Sequence, residues 1–230
     1  MPKDIKSFEE KVGVQFNDLE LLRQAFTHRS YLNEHRGEVA GHNERLEFLG
    51  DAVLELISTH FLYEKFPDKP EGELTAYRAA LVNAVTCAEV ANQLNMNDFL
   101  LLSRGEAKDT GRARGILLAN AFEALIGAMY IDQGYDVTKE FIGKHLLPKI
   151  DEIIRQRLWQ DPKSTLQEKA QDVEGVTPSY AVIRESGPDH DKHFTVGVYL
   201  GGKLLAQGEG KSKQEAEQES ARNALELRGW

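Results

Sequence analysis

A chain of 230 residues, 41% of them hydrophobic, is long enough for two domains, each with a core of its own. Its single cysteine excludes an internal disulfide. No run of roughly eighteen uncharged apolar residues or signal-type leader appears, which predicts a cytoplasmic protein. Residues 1–157 read as helical throughout. Ser7-Phe8-Glu9-Glu10 has the form of a capping box, with a stop at Gly13. Leu46, Leu49, Val53, Leu56, Ile57 and Leu62 predict a helix over 43–65 that ends at Phe66-Pro67. A further helix opens at Glu71 and runs through Leu81, Val85 and Val90 to Leu94, and the period returns over 115–132 and 138–157.

The pattern changes after Trp159-Gln160-Asp161-Pro162. A short helix is predicted over Lys163–Val173, then strands at 180–183, 194–200 and 203–208. Gly201-Gly202 supplies a two-residue hairpin turn, and Ser212 caps a last helix over Lys213–Arg228. The expectation is a multidomain chain: an all-α domain over 1–157 and a small α+β domain, ordered α-β-β-β-α, over 161–230. The net charge of −9 divides as −7 over residues 1–161 and −2 over 162–230. Neither part is a basic module, so a polyanion would have to be met by bound metal and by small basic patches.

The stretch 43–56 puts Glu44, Glu47 and Asp51 within an apolar helical pattern. Steps of three and four residues return to one helix face, so the three carboxylates project together and repel. A second apolar helix carries Asn120 and Glu123 on one face. Glu47 and Asp51 from one helix and Asn120 and Glu123 from another can converge in a bundle. Oxygen donors of this kind favour Mg²⁺, with Mn²⁺ as a substitute, and suit phosphodiester hydrolysis. His28, His35, His42 and His60 are scattered and read as structural, and Cys87 reads as a small buried hydrophobe. The segment 103–114 places Arg104, Lys108, Arg112 and Arg114 just before the Asn120 helix, where they could meet phosphates.

ERLEFLGDAVLEL (44–56) resembles the signature motif of bacterial ribonuclease III. The resemblance extends to Phe26-Thr27-His28-Arg29-Ser30, to residues 66–82 and to residues 116–132. The C-terminal part resembles a double-stranded-RNA-binding domain at Thr165-Leu166-Gln167-Glu168, Gly187-Pro188-Asp189-His190 and residues 208–217. The resemblance implies a homodimeric, Mg²⁺-dependent endoribonuclease that cuts both strands of duplex RNA. It implies 5′-phosphate and 3′-hydroxyl ends with short 3′ overhangs, in rRNA and mRNA processing. Glu47, Asp51 and Glu123 would be metal ligands, with Glu44 and Glu71 as supporting acidic residues near the cleft and the dimer interface.

Two departures stand out. Asn120 takes the place of the family's usual aspartate ligand, which removes one negative charge and predicts reduced cleavage. A variant with altered metal preference, an introduced substitution that traps uncleaved RNA, and a chain that binds duplex RNA without cutting all remain open. In the C-terminal domain, Thr165, Gln167 and Glu168 lie on the helix that would meet 2′-hydroxyls, and His190 lies in the loop between the first two strands. Lys211, Ser212 and Lys213 would meet phosphates at a helix N-terminus. Gln214 stands where a second lysine is usual, which predicts weak stand-alone RNA affinity. A di-metal oxidoreductase is disfavoured, since no Glu-x-x-His pair occurs.

Overall fold

The computed structural model describes residues 3–35, 37–108, 110–188 and 192–230, with Arg112 described by its backbone alone. Two compact units form, Met1–Trp159 and Gln160–Trp230. In the first, α1 (Lys6–Val12), α2 (Leu19–Ala25) and α3 (Arg29–Glu34) lead into the long α4 (Glu44–Lys65). Next come α5 (Glu71–Leu81), α6 (Ala84–Gln93), 3₁₀ turns at Met96–Asp98 and Glu106–Lys108, α7 (Arg112–His145) and α8 (Lys149–Arg155).

Three local expectations are corrected. Ser7-Phe8-Glu9-Glu10 is not a capping box: Ser7 lies inside α1 and its Oγ donates to the Asp4 carbonyl (2.7 Å). The Glu9 carboxylate instead accepts the backbone N–H of Phe16 (2.6 Å), pinning the chain after the Gly13 stop. The helix expected over 71–94 is broken at Asn83, whose Oδ1 accepts from the Thr86 N–H (2.9 Å) and starts α6 afresh. Finally, α7 runs through 133–137 with a non-helical residue at Gly134 (φ 80°, ψ −173°), and the expected helix over 138–157 stops at His145 before α8.

Leu54, Ile57 and Leu62 of α4 are buried with Phe122, Leu125 and Met129 of α7. Phe8 packs edge-on against Phe26 (4.9 Å) and Phe99 (5.2 Å) at the other end of the core. Ala113–His145 is long and apolar enough to cross a membrane by composition, yet 56% of its apolar window is buried inside this unit. Its apolarity is that of a core helix. At the α4–α7 crossing the backbones touch through glycines. A Cβ on Gly50 would fall 1.7 Å from the Glu123 carbonyl oxygen, and one on Gly127 2.1 Å from that of Leu46. No side chain fits there, so the two helices pack backbone to backbone. Glu47 and Asp51, flanking Gly50, are thereby set beside Glu123.

The second unit holds α9 (Pro162–Glu174), β1 (Ser179–Ser186), β2 (His193–Leu200), β3 (Lys203–Gly210) and α10 (Lys213–Arg228). Asp161 Oδ1 caps α9 by accepting the Lys163 N–H (3.1 Å). The strands form an antiparallel sheet in the order β1-β2-β3. Gly201 (φ 54°) and Gly202 (φ 79°) are both left-handed, as a tight hairpin turn requires. Tyr180 and Ala206 pair with Val198 on either side, and Val198 is buried beneath Leu166 of α9 and Ala221 and Ala224 of α10.

Candidate active site

Glu44 and Glu47 occupy the first turn of α4, and Asp51 follows one turn on. Glu44 is exposed and tied off: its carboxylate lies 3.3 Å from Arg29 Nη1 and 3.8 Å from His42 Nδ1. His42 Nδ1 also faces the Glu44 N–H (3.4 Å). Glu47 is half-buried, and its carboxyl is raised above the usual range by burial, then by Glu44 and Asp51. Glu123, on α7, is pushed up to about 7 by burial, then by the charges of Asp51 and Glu47. Asn120 lies one turn before Glu123 on the same helix and is half-buried.

Glu47, Asp51 and Glu123 therefore share one electrostatic environment, as their spacing predicts. They are not closed around a point: among the described residues no three His, Cys, Asp or Glu side chains form a group ready to hold an ion. No ion pair to Glu47, Asp51 or Glu123 occurs among the described residues, so no protein cation neutralises them there. The donor set is all oxygen and in surplus negative charge, with Glu47, Asn120 and Glu123 half-buried and Asp51 exposed, which fits a hard divalent cation.

Burial makes Glu123 bind its proton more tightly when folded than when unfolded. Between its ordinary value of 4.5 and about 7 the native state holds a proton that the unfolded chain has released. Its contribution to stability accordingly falls as pH rises through that window.

Glu71 is not brought into this group within one chain. It opens α5, just past the C-terminal end of α4, and its carboxylate accepts from Thr75 Oγ1 (2.9 Å). Eighteen helical steps along α4 separate Glu47 from Lys65, roughly 27 Å. Cys87 of α6 is fully buried, its Sγ contacting the Val82 carbonyl (3.7 Å). Burial and the charges of Glu123 and Asp51 push its thiol to about 12, so it is the inert core residue expected.

Of the basic segment, Arg104 and Lys108 are exposed, and Arg112 contributes its backbone to the start of α7. Arg114 Nη2 donates to the carbonyls of Glu106 (3.0 Å) and Ala107 (3.1 Å), so this arginine braces the loop. In the second unit, Gln167 and Glu168 are exposed on α9 and Thr165 is half-buried. His190 lies outside the described residues. Lys211 and Lys213 are exposed at the start of α10, with Lys213 Nζ 5.7 Å from the Phe194 ring centroid. Ser212 Oγ accepts the Glu215 N–H (3.1 Å), and Glu215 Oε2 accepts the Lys211 N–H (2.9 Å). Sequence reasoning missed Glu215, although Ser-x-x-Glu is the capping-box spacing. Its carboxylate occupies part of the positive helix end assigned to phosphate and must compete with it.

A helical unit carrying an acidic cluster, followed in the chain by a compact α-β-β-β-α unit, defines a nuclease with an appended RNA-binding domain. Residues 18–150 match the family described as Ribonuclease-III-like, and residues 162–227 match the double-stranded RNA binding motif. The chain is 48% identical over 221 residues to the Ribonuclease 3 of Geobacillus thermodenitrificans, covering 96% of this chain and 89% of that one. It is 47% identical over 217 residues to the Ribonuclease 3 of Enterococcus faecalis, covering 94% of each. The nuclease domain of ribonuclease III from Campylobacter jejuni, described with a region involved in dimer formation, aligns with a TM-score of 0.56 at 38% identity. That alignment covers 65% of this chain and 97% of that domain. The chain belongs to the ribonuclease III family. It is a ribonuclease III-type endoribonuclease acting on double-stranded RNA.

Proposed function

We propose that this protein hydrolyses duplex RNA with Mg²⁺ as cofactor, Mn²⁺ substituting, as a cytoplasmic homodimer in rRNA and mRNA processing. The observation that carries the reading is Glu123, half-buried beside Asp51 and Glu47 with its pKa raised to about 7. Glu47, Asp51, Glu123 and the amide oxygen of Asn120 would hold the ion. When bound, it supplies an activated water and offsets charge on the phosphate. The water oxygen bonds to phosphorus as the P–O3′ bond breaks, leaving a 5′-phosphate and a 3′-hydroxyl. Arg29 and His42 keep Glu44 at the rim of the cleft, and Arg104 and Lys108 offer charge to the approaching backbone.

A stripe on α4 supports the dimer. Phe48, Leu56 and Tyr63 are 81%, 59% and 71% exposed and lie on one helix face. Two copies of this stripe can pair antiparallel about a two-fold axis, as the two strands of a duplex require. Such pairing sets the start of one copy's α5, with Glu71, near the other copy's Glu47. Two cuts on opposite strands then give short 3′ overhangs. Phe48→Ala is expected to weaken the dimer about 30-fold or more, as for a large aromatic anchor. Sedimentation equilibrium checks this, and an unchanged dissociation constant removes α4 from the interface.

Cleavage of a long RNA duplex with Mg²⁺, Mn²⁺ or chelator, followed on a gel, tests the activity. Metal-dependent short products support it. A shifted but intact duplex supports the second reading, a binder that cuts little, which the neutral Asn120 favours. Asn120→Asp is expected to lower the Mg²⁺ concentration for half-maximal cleavage roughly tenfold and to raise the rate, and equal curves for both forms count against a ligand role. Mg²⁺ is also expected to raise the melting temperature by several degrees at pH 8 and far less at pH 5.5, where Glu123 is protonated. Equal shifts at both pH values would place the ion elsewhere.

A further inference from the structure

A second feature of the nuclease unit lies outside the acidic cleft. A groove of about 880 Å³ opens between the N-terminal segment, α2, α3 and the segment 97–114. That is within the range of small-ligand sites, about 300–1,000 Å³. Its floor includes the buried rings of Phe26 and Phe99. Its wall includes Tyr31 and His35, whose rings stack at 4.1 Å with planes 10° apart. Glu38 holds both rings, accepting from Tyr31 Oη (3.1 Å) and pairing with His35 Nδ1 (3.1 Å). The aromatic platform is thus fixed before any ligand arrives.

The groove carries four cationic side chains, Lys3, Arg23, Arg104 and Arg114, against three carboxylates, in a unit that is acidic overall. The carboxylates that line it are engaged with the protein. Asp98 pairs with Lys3 (2.7 Å), Glu34 accepts the Arg104 N–H (3.2 Å), and Asp4 accepts the Lys6 N–H (3.2 Å). A preset stacking face, an apolar floor and guanidinium groups are the chemistry that recognises a base joined to a phosphate. We propose that this groove binds a nucleoside 5′-phosphate, its base against the Tyr31–His35 pair and its phosphate towards Arg23 and Arg104. The ligand is either a free mononucleotide or the terminal nucleotide of an RNA strand. The site is separate from Glu47, Asp51 and Glu123 and needs no metal.

Titration of the full chain with AMP by calorimetry, in chelator so that the acidic cleft takes no metal–nucleotide complex, tests the site. Saturable submillimolar binding is expected, with adenosine and inorganic phosphate each at least tenfold weaker. Tyr31→Leu and Arg23→Gln are expected to weaken AMP at least tenfold, and Glu123→Gln to leave it unchanged. No saturation, or equal affinity in both groove variants, overturns the proposal. Photolabelling of the unaltered chain with 8-azido-AMP does not depend on how variants fold. It should mark the peptide bearing Tyr31 and His35, and labelling confined to other peptides also overturns it. Displacement of AMP by a duplex with a 3′ overhang but not by a blunt one assigns the groove to an RNA terminus. No displacement by either assigns it to a free nucleotide. Equal displacement by both puts AMP on the general duplex-binding surface and refutes a separate site.

Discussion

Replacing Glu123 by Gln is expected to raise the melting temperature of the metal-free protein at pH 8 while lowering cleavage about 10³-fold. The two effects have one origin. Glu123 is held beside Asp51 and Glu47 in a half-buried cleft, and its charged form is penalised enough to lift its pKa to about 7. The amide removes that penalty, so the folded state gains at any pH where the carboxylate would have been ionised. It also removes a charged ligand. Several kcal/mol of transition-state stabilisation from a metal corresponds to two to four powers of ten in rate. A melt at pH 8 in chelator and single-turnover cleavage of a defined duplex measure both. Lost activity with a lowered melting temperature would recast Glu123 as a packing residue. Lost activity with weakened duplex binding would show that the variant harms more than the chemical step.

Gly50→Ala is expected to lower stability by more than about 3 kcal/mol and to abolish cleavage. Its Cβ would fall 1.7 Å from the Glu123 carbonyl oxygen, a backbone atom that cannot swing aside. Relief requires α4 and α7 to separate, which opens the core along Leu54, Ile57 and Phe122 and draws Glu47 and Asp51 away from Glu123. For a chain of this size the loss corresponds to roughly 6–12 °C or more in melting temperature. Gly72→Ala is the internal control. It lies in the first turn of α5 with nothing within 4 Å of the added methyl, so a small gain is expected. Equal melting temperatures for the two variants would contradict the backbone contact.

Much of this was legible in the chain before any coordinates. Glu44, Glu47 and Asp51 recur at helical steps inside an apolar pattern, and Asn120 and Glu123 do the same. Periodicity alone therefore places them on faces that can meet. The strands around Gly201-Gly202 and the Ser212 cap were equally plain, because turn and cap chemistry are local. What stayed hidden depended on partners distant in sequence or on competition for one group. Ser7 and Glu10 have the right spacing for a cap, but Ser7 lies inside α1 and its Oγ donates back to the Asp4 carbonyl. Asn83 sits in a run apolar enough to continue a helix, and only its side-chain bond to Thr86 shows the restart. Gly50 reads as a weak point in a helix until Gly127 is seen to meet the same crossing. The separation of Glu71 from Glu47 follows from the length of α4, which the motifs by themselves do not convey.

Cys87 sits behind the acidic cleft with its sulfur sealed from solvent, and the chain has no second thiol. Any alkylation must therefore wait for the α6–α7 layer to part. The protein carries its own stopwatch: the pace at which a thiol reagent consumes it times the breathing of the wall on which Glu123 is mounted.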